Sequence, residues 1–89
     1  MSYKIGFIGT GNMGGAIIKS IVKNDFQRSF PVIAYDVNET LLKVLAEETG
    51  IATAKNGLDV VKESDIIILA VKPQYAKSVL EELKEAFSH

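Results

Sequence analysis

Apolar and polar positions fall in blocks along the chain, and each block has the length and period of one element. Tyr3 to Ile8 is a short, mainly apolar run that reads as a buried strand. Asn12 to Asn24 follows as a helix, with Ile17, Ile18, Ile21 and Val22 at helical spacing. Asp25 to Pro31 is a polar, aromatic-containing connection. Pro31 cannot donate to a ladder and so fits the mouth of a second strand, Val32–Tyr35. A second helix is expected near Glu39–Thr49, with Asn38 as its N-cap, Leu41, Leu42 and Leu45 as its apolar stripe, and Gly50 as its stop. Ile51–Ala54 reads as a short third strand, Asn56-Gly57 as a turn, and Leu58, Val60 and Val61 as a short helix ending near Ser64. Ile66 to Val71 is a continuous apolar run rich in β-branched residues, which predicts a strand buried on both faces. Pro73 stops it. Gln74 to Phe87 is then a helix with Ala76, Val79, Leu80, Leu83 and Phe87 on one face.

Four strands alternating with four helices over short connections predict an α/β domain. Right-handed crossovers make it a three-layer αβα sandwich around a parallel sheet of order 3-2-1-4. Residues 1–89 form one domain, with no internal repeat, low-complexity tract or linker. The chain reverses direction across the sheet between strands 1 and 4, and the crevice at their ends is the expected ligand site.

The residues at that crevice carry the candidate chemistry. Gly9-Thr10-Gly11-Asn12-Met13-Gly14 has the spacing G-x-G-x-x-G between the first strand, ending at Ile8, and the first helix. Gly9 allows the tight turn, Gly11 lets a pyrophosphate approach the backbone, and Gly14 lets the helix pack close to the strand. The helix N-terminus would then face the anion. This is a Rossmann-like arrangement. Met13 is most simply packing near the turn. Asp36 ends the second strand about 20 residues on, where such folds place an acid that accepts from the adenosine ribose hydroxyls. It would repel a 2′-phosphate, and no arginine lies near it in sequence, so the residues favour NAD(H) over NADP(H). Ala70-Val71-Lys72-Pro73 leaves the fourth strand at the same crevice and can border a nicotinamide ring. Lys72 reads equally as a phosphate contact or as a solvated surface lysine. Asn56 can reach the adenosine side or simply form an Asn-Gly turn.

Composition narrows the alternatives. Net charge is −1, which leaves no electrostatic footprint for nucleic acid or an anionic membrane. Cysteine is absent, which excludes thiolate metal sites and cysteine nucleophiles and fits a reducing cytoplasm. The apolar runs are too short to span a membrane and no basic leader is read at the N-terminus. No G-K-[ST] follows the glycines, no metal-ligand spacing occurs, and the serines have no histidine partner but His89 at the last position, which reads as a frayed end. Glu47-Glu48 and Glu81-Glu82 read as solvated helix faces.

Ile5 through Met13, Asn56, and Leu69-Ala70-Val71-Lys72-Pro73-Gln74 together resemble the N-terminal domain of pyrroline-5-carboxylate reductase. The resemblance covers essentially the whole chain, and the Ala-Val-Lys-Pro-Gln exit is its more specific part. It implies an NAD(P)H-dependent reductase that transfers a hydride to the C=N carbon of a cyclic imine, giving proline. It also implies that Ile8 through Met13 line the pyrophosphate turn, with Asp36 at the ribose, Asn56 on the adenosine half and Ala70 through Pro73 at the nicotinamide. Family members commonly carry a small polar residue in place of Asp36, often with NADPH. They also continue into further strands and a helical C-terminal domain that dimerises and supplies most of the imine site. The chain is therefore expected to be a truncated cofactor domain, inactive alone and with no catalytic residue of its own. Its fourth strand is expected to form an open edge that invites self-association. Two alternatives stand beside this: a stand-alone, non-catalytic dinucleotide-binding module, and the cofactor domain of a β-hydroxyacid or prephenate-type dehydrogenase.

Overall fold

The first strand, β1 (Ile5–Ile8), lies inside the sheet with a parallel neighbour on either side. The computed structural model of the chain describes residues 3–87, and their side chains as far as Lys84. Phe87 as a packing side chain, and His89, therefore lie outside what is described. The elements in chain order are β1, α1 (Asn12–Lys23), a 3-10 turn (Phe26–Arg28), β2 (Val32–Tyr35), α2 (Glu39–Thr49), β3 (Ala52–Thr53), α3 (Gly57–Glu63), β4 (Ile66–Leu69) and α4 (Pro73–Phe87). All strands pair in parallel in the order β3-β2-β1-β4, as the sequence predicts.

Side-chain alternation along β1 and β2 sorts the core into two layers. Phe7, Val32 and Ala34 face α1 and α2, where they pack with Ile18, Leu42 and Leu45. Ile8 and Ile33 face the opposite way and pack with Val60 of α3 and Leu83 of α4. Phe7, Ile18 and Val60 are fully buried, so each layer has its own anchor. Truncating one of these to alanine costs about 3–5 kcal/mol for the aromatic and about 2–5 for the isoleucine.

Local chemistry sets the helix ends. The Asn38 side chain accepts a hydrogen bond from the Leu41 amide at 3.0 Å, a cap that contributes about 1 kcal/mol. At the other end of α2 the Gly50 amide donates to Ala46 at 2.7 Å. Asn56 caps α3 in the same way, its carbonyl oxygen accepting from the Asp59 amide at 2.8 Å. The expected turn at Asn56-Gly57 is thus a helix start. Pro73 does not merely end a strand; it is the first residue of α4, where a missing N–H costs nothing. The connection after α1 holds the 3-10 turn and begins at Asp25 with φ 58°.

Expectations about burial and extent are corrected at several places. The fourth strand packs on both faces, Ile68 against one layer and Ile67 and Leu69 against the other, but each of the three is only half-buried. It is a sheet edge, as the sequence leads one to expect, and Ile66 at its start is 45% exposed. The third strand is two exposed residues long, although Ile51 before it is buried and the Ala54 amide still reaches the Ala34 carbonyl at 2.9 Å. On α4, Leu83 is buried and Ala76 and Val79 are half-buried, but Leu80 sits one position round the helix and is exposed. Leu41 of α2 is likewise exposed while Leu42 and Leu45 are not. No described helix is long and apolar enough to cross a membrane.

Candidate functional site

The turn from β1 into α1 is built on two close approaches. Gly9 has φ 93°, and a Cβ there would lie 2.7 Å from the Ala70 carbonyl oxygen. Only glycine holds that conformation and that contact together. A Cβ on Gly14 would lie 2.8 Å from the Gly9 carbonyl oxygen, so α1 rests directly on the turn. Gly11 differs, for its open face meets nothing within 4 Å. The helix it starts has no side-chain cap and no acidic residue in its first turn. The first intrahelical bond runs from the Gly15 amide to Gly11 at 2.8 Å, so the amides of Asn12, Met13 and Gly14 precede any intrahelical acceptor. Unsatisfied amides at a positive dipole end suit an anion.

Asp36 follows the last residue of β2 and turns its carboxylate back toward the glycines. One oxygen accepts from the Thr10 amide at 2.6 Å and from the Thr10 hydroxyl at 3.0 Å. The other accepts from the Asn38 amide at 2.8 Å. The expected ribose acid is thus largely engaged by its own chain. The facing wall is the exit of β4, where the Ala70 amide donates to Ile8 at 2.8 Å and the Tyr75 amide to Lys72 at 2.9 Å. Val71 is half-buried and Lys72 exposed.

These walls enclose a cavity of about 690 Å³. That lies within the range of roughly 300–1,000 Å³ typical of small-molecule sites. Of the residues singled out in sequence, Ile8, Gly9, Gly11, Asp36, Asn56, Ala70, Val71 and Lys72 line it. Thr10 and Asn12 instead line a groove of about 330 Å³ between α1 and α2, which also touches Gly11. Met13, Gly14 and Pro73 line neither. Met13 is 72% exposed, which corrects its expected packing near the turn: it sits on the outer face of α1's first turn, with nothing packed over it. Sequence reasoning missed the third wall. Tyr75, Val79 and Leu83, spaced i, i+4, i+8 on α4, continue the cavity with Leu58 and with Glu82 beside them. The spacing was visible, but a stripe of that kind reads as core. Among the described residues no group of acidic or histidine side chains could hold a metal ion.

A glycine turn and an uncapped helix start, set at the point where a parallel sheet reverses its order, define an α/β domain of the dinucleotide-binding class. The chain belongs to the family described as NADP oxidoreductase, coenzyme F420-dependent, whose model matches residues 4–89. A pyrroline-5-carboxylate reductase of Methanosarcina acetivorans is 46% identical over 81 residues, which are 91% of this chain and 30% of that protein. The solved pyrroline-5-carboxylate reductase of Coxiella burnetii matches 100% of this chain and 33% of its own, with a TM-score of 0.82 at 30% identity. A UDP-N-acetylglucosamine 3-dehydrogenase from Acidithiobacillus ferrooxidans matches 98% of this chain and 28% of its own, with a TM-score of 0.73. At 17% identity that likeness concerns the fold alone. The resemblance to pyrroline-5-carboxylate reductases is therefore borne out. The chain spans about a third of the length of these relatives.

Proposed function

We propose that the chain is the NAD(P)H-binding part of a pyrroline-5-carboxylate reductase-type oxidoreductase. The observation that carries this is the direct seating of Gly9 against Ala70, which puts Gly9 and Gly11 of the glycine turn and Ala70, Val71 and Lys72 of the exit from β4 on one cavity. In this reading the turn from Ile8 through Gly14 takes the pyrophosphate, chiefly on the amides of Asn12 and Met13. Asp36 takes one ribose hydroxyl on its remaining lone pair, and Asn56 offers its amide nitrogen to the adenosine. Leu58 and Val79 flank the adenine. Ala70, Val71, Lys72 and Pro73 border the nicotinamide, with Lys72 toward the phosphates. When bound, the reduced nicotinamide supplies a hydride for the C=N carbon of 1-pyrroline-5-carboxylate, giving proline. The chain's own residues bind and orient; none is assigned as a general acid.

Asp36 also supports NADH over NADPH, since its charge opposes a 2′-phosphate and no arginine lines the cavity to offset it. A cysteine-free sequence fits a reducing compartment such as the cytoplasm. The uncovered backbone of β4 offers a second copy of the chain a strand to pair with.

Fluorescence titration with NADH and NADPH tests the binding. NADH is expected to bind roughly tenfold more tightly, the effect of one unfavourable charge contact. Binding of neither would sink the dinucleotide reading, and tighter NADPH would sink the preference. Grafting the chain in place of the matching third of the Methanosarcina acetivorans enzyme is expected to preserve proline formation, while the chain alone oxidises no NADH with the imine. Turnover by the chain alone would place the imine site within these 89 residues.

A further inference from the structure

The carboxylate of Asp36 does more than end a strand. Its three donors are the Thr10 amide at 2.6 Å, the Thr10 hydroxyl at 3.0 Å and the Asn38 amide at 2.8 Å. A carboxylate offers about four lone-pair sites, so roughly one remains for any ligand. Thr10 is itself buried, at 3% exposed. One residue earlier, the Gly9 amide donates to the Tyr35 carbonyl oxygen at 2.8 Å. Two successive residues of the glycine turn are therefore stitched to two successive residues at the end of β2. The Thr10 amide is held on that side, so the free donors of the turn begin at Gly11.

We infer that Asp36 is the positioning residue of the phosphate turn and acts through Thr10. The inference rests on the dinucleotide reading and deepens it: Asp36 governs affinity for the pyrophosphate as well as for the ribose. Charge-assisted bonds to backbone amides are among the stronger ones a side chain makes, and two of these three are of that kind. Asparagine cannot replace the carboxylate. Both carboxylate oxygens accept from amide N–H groups, so the Asn side chain must turn its NH2 toward one of those donors.

The test separates positioning from direct ribose contact by removing the ribose hydroxyls from the ligand. Wild-type chain and Asp36→Asn are titrated with ADP and with 2′,3′-dideoxyadenosine diphosphate. Positioning predicts that Asp36→Asn loses roughly tenfold or more in affinity for both. A loss for ADP with unchanged binding of the dideoxy ligand would overturn the inference and leave Asp36 as a ribose contact only. Amide hydrogen exchange in the free chain reads the same clasp without any ligand. Exchange at Thr10 should rise about tenfold in Asp36→Asn, with the Phe7 amide in β1 unchanged as a control for global opening. Thr10→Ser, which keeps the hydroxyl, should retain wild-type exchange, and Thr10→Val, which loses the hydroxyl bond but keeps the amide bond, should fall between wild type and Asp36→Asn. Unaltered Thr10 exchange in Asp36→Asn would overturn the inference. If the wild type binds neither ligand, the dinucleotide reading fails, and the exchange data still decide whether the clasp exists.

Discussion

Two walls of the cavity are made differently. On the β2 side the glycine turn is fixed by its own chain: Thr10 is buried, Asp36 holds it, and the Tyr35 carbonyl holds Gly9. On the β4 side the strand is an edge, Val71 is half-buried, and Lys72 and Tyr75 stand in solvent. The first wall needs no ligand to have its shape. The second is supported from within, by the Ala70-to-Ile8 bond, and open from without. A preorganised turn lowers the ordering cost of any ligand it takes, whereas a half-walled end leaves room for further protein or ligand to complete it.

Substitutions can break this contrast, and the largest effect is expected where the walls touch. Gly9→Val puts a β-branched residue at φ 93° against the Ala70 carbonyl. It should cost about 3 kcal/mol or more in urea denaturation, from strain and overpacking together. A loss under 1 kcal/mol would mean that the turn is far softer than its contacts indicate. Lys72→Ala comes next. It should leave stability within about 0.5 kcal/mol, because the side chain is exposed. It should weaken NADH by a few-fold at low salt, with the difference shrinking as salt rises. Salt-independent loss, or none, would return Lys72 to the solvated surface. Ile66→Lys has the smallest expected effect on binding and sharpens the other side of the comparison. A charge on the edge should shift sedimentation toward monomer at unchanged dinucleotide affinity. Wild-type chain that is already monomeric at high concentration would dismiss pairing through β4.

Much of the fold was legible because its signals are local. Asn38, Gly50 and the glycine run each act within a few residues, so α2 and the first turn fell where expected. The strand order followed from the alternation of elements and the handedness of crossovers. What escaped was set by distance or by neighbours. Thr10 and Asp36 are 26 residues apart, and no spacing rule joins them. Tyr75, Val79 and Leu83 share one face of α4, but whether a face meets core or cavity depends on what lies across from it. The apolar run of β4 read as doubly buried because composition records the burial a strand can tolerate. It does not record whether a neighbour is there to supply it.

The pairing of β1 with β4 has a bearing on how the domain comes together. Ile5 to Ile8 lie beside Ile66 to Leu69, segments far apart in the sequence, and the seat of Gly9 on Ala70 exists only once they have met. Joining segments so distant in sequence carries a loop-closure cost that the local helices do not. A partly folded chain can therefore own its helices and its β1–β2 stitching and still have no cavity. Any ligand that fills the cavity selects molecules in which the two ends have closed, and so steadies the whole domain rather than one loop.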